Sequence, residues 1–167
     1  AIAAGQLLFI AFILLFYYPP TLTSNFAAWN DKPLITGFVA GDGAGNLFFA
    51  VHVLMAAVIT LGGLVQLLPA VRNRWPAVHR WNGRLYLFCA LALAFGGLWM
   101  TWARGTWLAL GGAIGITLDA LLIIGFAAMA FGAARARRFV DHRRWAIRLF
   151  AVASAVWFMR VGYMVWG

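Results

Sequence analysis

Glutamate is absent from the 167 residues, and aspartate occurs only as Asp31, Asp42, Asp119 and Asp141. Charged residues make up 10% of the chain, against about 25% in a soluble domain. With so few polar groups and 65% hydrophobic residues, the chain cannot clothe a globule for water, so lipid must be its solvent. The single cysteine, Cys89, lies inside a hydrophobic run; it excludes an internal disulfide and leaves the redox compartment open. There is no Cys pair and no His-x-x-x-His, so no zinc, hydrolase or kinase pattern is present. The first apolar run lacks the basic start and small-residue cleavage site of a secretory signal and reads as a real span. The numbering opens at Ala1 without Met, so an N-terminal piece can be missing.

What is there is a series of apolar runs. A hydrocarbon core takes roughly 20 helical residues to cross. Five runs approach that length: 2–18, ended by Pro19-Pro20; 47–68, ended by Pro69; 85–102, whose helix can begin at Pro76; 106–131; and 145–166, with Asp141 placed to cap it. The expected fold is therefore all-α, a single membrane domain of five transmembrane helices. The net charge of +9 does not form a soluble basic face, which argues against nucleic acid as a partner. Arg72, Arg74, Arg80 and Arg84 follow the second run, and Arg135, Arg137, Arg138, Arg143 and Arg144 follow the fourth. Only Lys32 and Arg104 lie on the other face. Nine basic residues against two put the N-terminus in the cytoplasm and the C-terminus outside, in a membrane expected to be a bacterial inner membrane. Trp29, Trp75, Trp81, Trp102, Trp107, Trp145 and Trp166 fall where interfacial belts are expected.

The two inner connections match at a fixed offset. Arg72-x-Arg74-x-x-x-x-His79-Arg80 returns 63 residues later as Arg135-x-Arg137-x-x-x-x-His142-Arg143. That pattern predicts a duplicated helical hairpin, with spans two-three and four-five as parallel repeats about an axis along the membrane normal. Span one is then an addition outside a four-helix core. Coincidence in two arginine-rich loops is the plainer alternative.

Ionisable groups within lipid are costly and ask for partners. Asp119 and Arg160 differ in expected depth by roughly 7–8 Å, which an arginine can bridge. A register-fixing ion pair and a proton or ligand site are both consistent with that spacing. His52 shares a face with Ile59, Gly63 and Gln66, a small and polar stripe expected to turn inward. With Asp119 and Arg160 it would form an outer-half polar cluster suited to a quinone or a proton step, and a hydrogen-bonded packing histidine is the simpler reading. Gly96-Gly97 and Gly111-x-x-x-Gly115 read as close helix contacts.

His79 and His142 are the sharper candidates. Each is expected at a helix start, on the same side, among arginines. Two histidines from different helices at one depth can hold haem b, with Arg80, Arg84, Arg143, Arg148 and Tyr86 for the propionates. Helix N-termini with arginine equally make an anion site for phospholipid head groups, with no redox cofactor. Arg148 can also simply snorkel to the inner surface.

The stretches 52–86 and 141–160 resemble an uncharacterised family of membrane proteins, domain-of-unknown-function family 2306. The matching residues are His52, Gly63, Gln66, Arg72, His79-Arg80-Trp81-Asn82-Gly83-Arg84-Leu85-Tyr86 and His142-Arg143-Arg144-Trp145-Ala146-Ile147-Arg148. Ala146 departs from the methionine that such members often carry after the tryptophan. The resemblance implies topology and no chemistry. A looser likeness is to two-haem b-type cytochromes; here only spans three and five carry both histidines. Two functional readings follow. One is transmembrane electron transfer through a b-type haem or a quinone site. The other is a non-enzymatic accessory or assembly subunit, bound to other membrane subunits and to anionic phospholipid. A solute carrier is a weaker third.

Overall fold

The computed structural model describes residues 2–31, 37–105, 110–155 and 157–158. Its elements are helical throughout, with no strand among the described residues: α1 (Ile2–Phe16), α2 (Tyr18–Leu22), a 3-10 turn (Phe26–Asn30), α3 (Gly43–Leu67), α4 (Pro69–Arg74), α5 (Pro76–Trp99), a π-helical turn (Met100–Arg104), α6 (Leu110–Arg135) and α7 (Phe139–Ala153). Four helical stretches are long and apolar enough to cross a membrane: Ala3–Leu22, Gly43–Leu67, Pro76–Arg104 and Leu110–Arg135. The expected fifth span begins in α7, and most of its second half lies outside the described residues.

Several boundaries differ from expectation for local reasons. Pro19 and Pro20 do not end the first helical path. They occupy the first turn of α2, where a missing N–H costs nothing, and the break falls at Tyr17. Asp42, rather than the first apolar residue, opens α3: its Oδ1 accepts the Gly45 N–H at 2.8 Å. Pro76 does begin α5. Asp141 does not cap α7. Arg138 is the N-cap residue, and Asp141 sits in the first turn, 3.6 Å from the Arg138 guanidinium and 3.9 Å from that of Arg144.

The helices pack as antiparallel neighbours, α3 on α5, α5 on α6 and α6 on α7, with α1 against α3. Small side chains set the approach. Ala120, Ala127, Ala130 and Ala133 line the buried face of α6, and Ala90 and Ala94 that of α5. Gly63 of α3 meets Phe150 of α7 and Tyr86 of α5, where an added Cβ would come within 2.9 Å of the Phe150 ring. Large aliphatic side chains instead cover the outside, Leu8 and Leu15 among them, as expected where lipid replaces water. Gly63→Val therefore forces two rings apart. We expect it to lower stability in detergent by about 1–3 kcal/mol, the usual cost of overpacking. An unchanged thermal midpoint would refute this view of the α3–α5–α7 junction.

The ends of α3 and α5 next to α4 are also tied by polar side chains. Asn82 donates to the Gly62 carbonyl at 2.8 Å, and Gln66 Nε2 donates to the His79 carbonyl at 2.9 Å. Helix α1 is not merely an addition at the edge. Gln6 is 1% exposed and donates from Nε2 to Ser154 Oγ at 2.8 Å, and Gly5 abuts the Trp157 indole.

The described residues do not establish the expected duplication, but they place its two histidines alike. The 63-residue offset maps Pro76 onto Phe139, the first residues of α5 and α7, so His79 and His142 are each the fourth residue of their helix. Each also donates its N–H to the carbonyl of the N-cap residue, His79 to Trp75 and His142 to Arg138. The preceding arginines differ. Arg72 and Arg74 lie on the separate helix α4, whereas Arg135 ends α6 and Arg137 takes a left-handed φ of 57°.

Candidate functional site

The helix starts at Pro76 and Phe139 bring His79 and His142 to the same end of the bundle. The His142 Nδ1 lies 2.9 Å from the Ala130 carbonyl of α6. A carbonyl can only accept, so this bond places the proton on Nδ1. The neutral ring then keeps its lone pair on Nε2, as in imidazoles that bind metals or receive a proton. The His79 Nδ1 is buried without a hydrogen-bond partner among the described residues, as is the Gln66 Oε1. The fourth positions of α5 and α7 thus define one locus at this end of the bundle, with α4 and its Arg72 immediately before α5.

Around that locus the arginines are exposed, Arg72, Arg80, Arg84, Arg143 and Arg148 among them. Two are held by indoles. The Arg84 guanidinium lies 4.8 Å from the centre of the Trp81 ring, and that of Arg148 lies 4.6 Å from the Trp145 ring. The only carboxylate of these inner segments is Asp141, shared between Arg138 and Arg144. Tyr86 does not join this group. It is buried in the core with Ile59, Cys89, Ala90 and Leu149, roughly 10 Å deeper along α5 at helical rise.

Of the expected cluster of His52, Asp119 and Arg160, the first two are described. The His52 imidazole packs on the Gly96-Gly97 backbone of α5, where an added Cβ at either glycine would lie 3.7 Å from the ring. Its Nδ1 is buried with no partner among the described residues. Asp119 is half-buried on α6, and no hydrogen bond or ion pair joins it to His52 or to any other described residue. Arg160, its expected partner, lies outside the described residues. Gly111 and Gly115 have no neighbour among the described residues that a Cβ would touch. Among the described residues no three His, Cys, Asp or Glu side chains form a metal-binding group. Of the belt tryptophans, Trp75, Trp81 and Trp102 are more than half exposed, while Trp29 is 2% exposed and packs with Tyr17 and Phe49.

The Asp42–Arg104 ion pair was not anticipated. Arg104, at the end of the π-helical turn, contacts the Asp42 carboxylate at 2.7 Å and donates to Asn46 Oδ1 at 2.8 Å and the Gly37 carbonyl at 3.2 Å. Asn46 in turn holds both the N–H and the carbonyl of Val39. The only available signal was one of scarcity, two cations and two aspartates on the sparsely charged face.

Residues 49–166 match the family described as Predicted membrane protein (DUF2306), a match over more than half of the chain. The chain belongs to this family. The match runs from Phe49 within α3 to residue 166 and includes both His-Arg segments, so the DUF2306 resemblance read from those segments holds. No curated protein and no solved structure matches, and the likeness to b-type cytochromes draws no support from these comparisons. The DUF2306 assignment establishes an integral membrane protein and assigns it no activity.

Proposed function

We propose that this DUF2306 protein is a non-catalytic subunit of a bacterial inner membrane whose cytoplasmic end binds an anionic phospholipid head group between the α5 and α7 helix starts. The observation that carries this reading is the charge imbalance there: exposed arginines on both inner segments, with Asp141 as the one carboxylate. Phosphate suits such a site, because guanidinium donors and helix N-terminal N–H groups both bind oxyanions. Trp81 and Trp145, beside the guanidinium groups of Arg84 and Arg148, would suit the interfacial level where head groups lie. The other membrane subunits would cover the aromatic and small-residue surfaces of a chain with little mass outside the bilayer.

One observation favours a second reading. The His142 tautomer leaves Nε2 free to ligate, which a b-type haem would use together with His79. A visible-light spectrum of the purified protein, oxidised and then reduced, separates the two. The lipid reading predicts no haem band in either state, and no spectral change in His79→Ala or His142→Ala. A reduced haem band that either substitution abolishes would replace it with electron transfer.

A further inference from the structure

A second polar site lies within the membrane, away from the arginines. A cavity of about 20 Å³ is lined by Gln6 of α1, Thr60 of α3, Tyr86 of α5, and Phe150, Ser154 and Trp157 at the C-terminal end. That volume suits one water-sized molecule. The donors and acceptors around it do not balance. Ser154 Oγ donates to the Phe150 carbonyl at 2.7 Å and accepts from Gln6 Nε2. Thr60 Oγ1 donates its proton to the Ala56 carbonyl at 2.7 Å. Both hydroxyl protons are therefore committed to backbone. Gln6 Oε1 is buried with no hydrogen-bond partner among the described residues, on a side chain only 1% exposed. An unsatisfied amide oxygen in an apolar surrounding costs about 1–3 kcal/mol, so it selects for a donor. Tyr86, lining the same cavity, carries a hydroxyl proton with no acceptor among the described residues.

We infer that this cavity is a binding site for a single neutral hydrogen-bond donor, a water molecule. It gives one proton to Gln6 Oε1 and the other to Thr60 Oγ1, and it accepts from the Tyr86 hydroxyl. A cation of similar size fits less well, because no carboxylate lines the cavity. Three partners match the number that buried waters usually have. The water joins α1 to α3 and α5, on the same patch where Gln6 already holds Ser154, and so completes the seat of α1 on the body.

Solid-state NMR of the protein in bilayers tests this directly. The chain has two glutamines, and Gly-Gln occurs once, at Gly5-Gln6. Carbonyl-¹³C glycine with uniformly ¹³C,¹⁵N-labelled glutamine therefore assigns the Gln6 backbone amide, and correlations within the residue carry the assignment to its side-chain amide. The expected result is magnetisation transfer from the water resonance to the Gln6 side-chain amide. Thr60→Val, which removes one acceptor while keeping shape, should weaken that transfer at least about threefold, as loss of one hydrogen bond would. Transfer only from lipid acyl protons, no transfer at all, or an intensity unchanged in Thr60→Val would each overturn the assignment.

Discussion

Arg104→Met should destabilise the protein by about 2–3 kcal/mol, the largest loss expected from any single surface-proximal change here. The Arg104 side chain is 11% exposed and that of its partner Asp42 31%. Removing the guanidinium leaves Asp42 without its cation and withdraws donors from Asn46 Oδ1 and the Gly37 carbonyl. Asn46 is also what holds Val39, so the outer segment loosens from α3. Asp42→Asn should cost less, since an amide oxygen can still cap Gly45. The double variant should cost less than the sum of the two single ones, because neither charge is then stranded. The measurement is detergent unfolding of all three, together with protease cleavage within residues 37–46. Additive losses, or cleavage unchanged in Arg104→Met, would show that the bridge does not hold this segment.

Membrane helices announce themselves by composition, so the four long apolar helices were legible, and Pro76 correctly marked the start of α5. The boundaries that moved did so where backbone hydrogen bonding decides. Proline in a first turn loses no bond, so Pro19 and Pro20 begin α2 rather than end a helix. Asp141 has the chemistry of a cap, yet the chain turns into α7 at Arg138, three residues earlier. Hydropathy also says little about which polar residue meets which. Gln6 and Ser154 carry no charge and drew no attention among the apolar residues, although their bond fastens α1. Trp29 reads as an interfacial residue by position, but the segment folds it under against Phe49. Tyr86 follows His79 by two helical turns, and that places it on the same strip of α5 but in the core. The matching helix positions of His79 and His142 were legible for the opposite reason. Their shared 63-residue offset encodes helix phase as well as sequence, and both became fourth residues of their helices.

The second large effect concerns the inner site. If the arginines beside the paired histidines bind lipid phosphate, each contributes about 1 kcal/mol, or roughly fivefold in affinity. Arg80 and Arg143 are the equivalent residues in the two segments, both exposed and neither in an ion pair among the described residues. Each reaches the same head group from its own helix, so neutralising both should weaken binding more than neutralising either. The most direct test is native mass spectrometry of protein released from bilayers of equal phosphatidylglycerol and phosphatidylcholine. The natural chain should retain phosphatidylglycerol selectively. Arg80→Gln and Arg143→Gln should each lower that preference about fivefold, and the pair by more than either alone. Equal retention of the two lipids by the natural chain, or a preference that survives both substitutions, would contradict the anion site at the centre of this account.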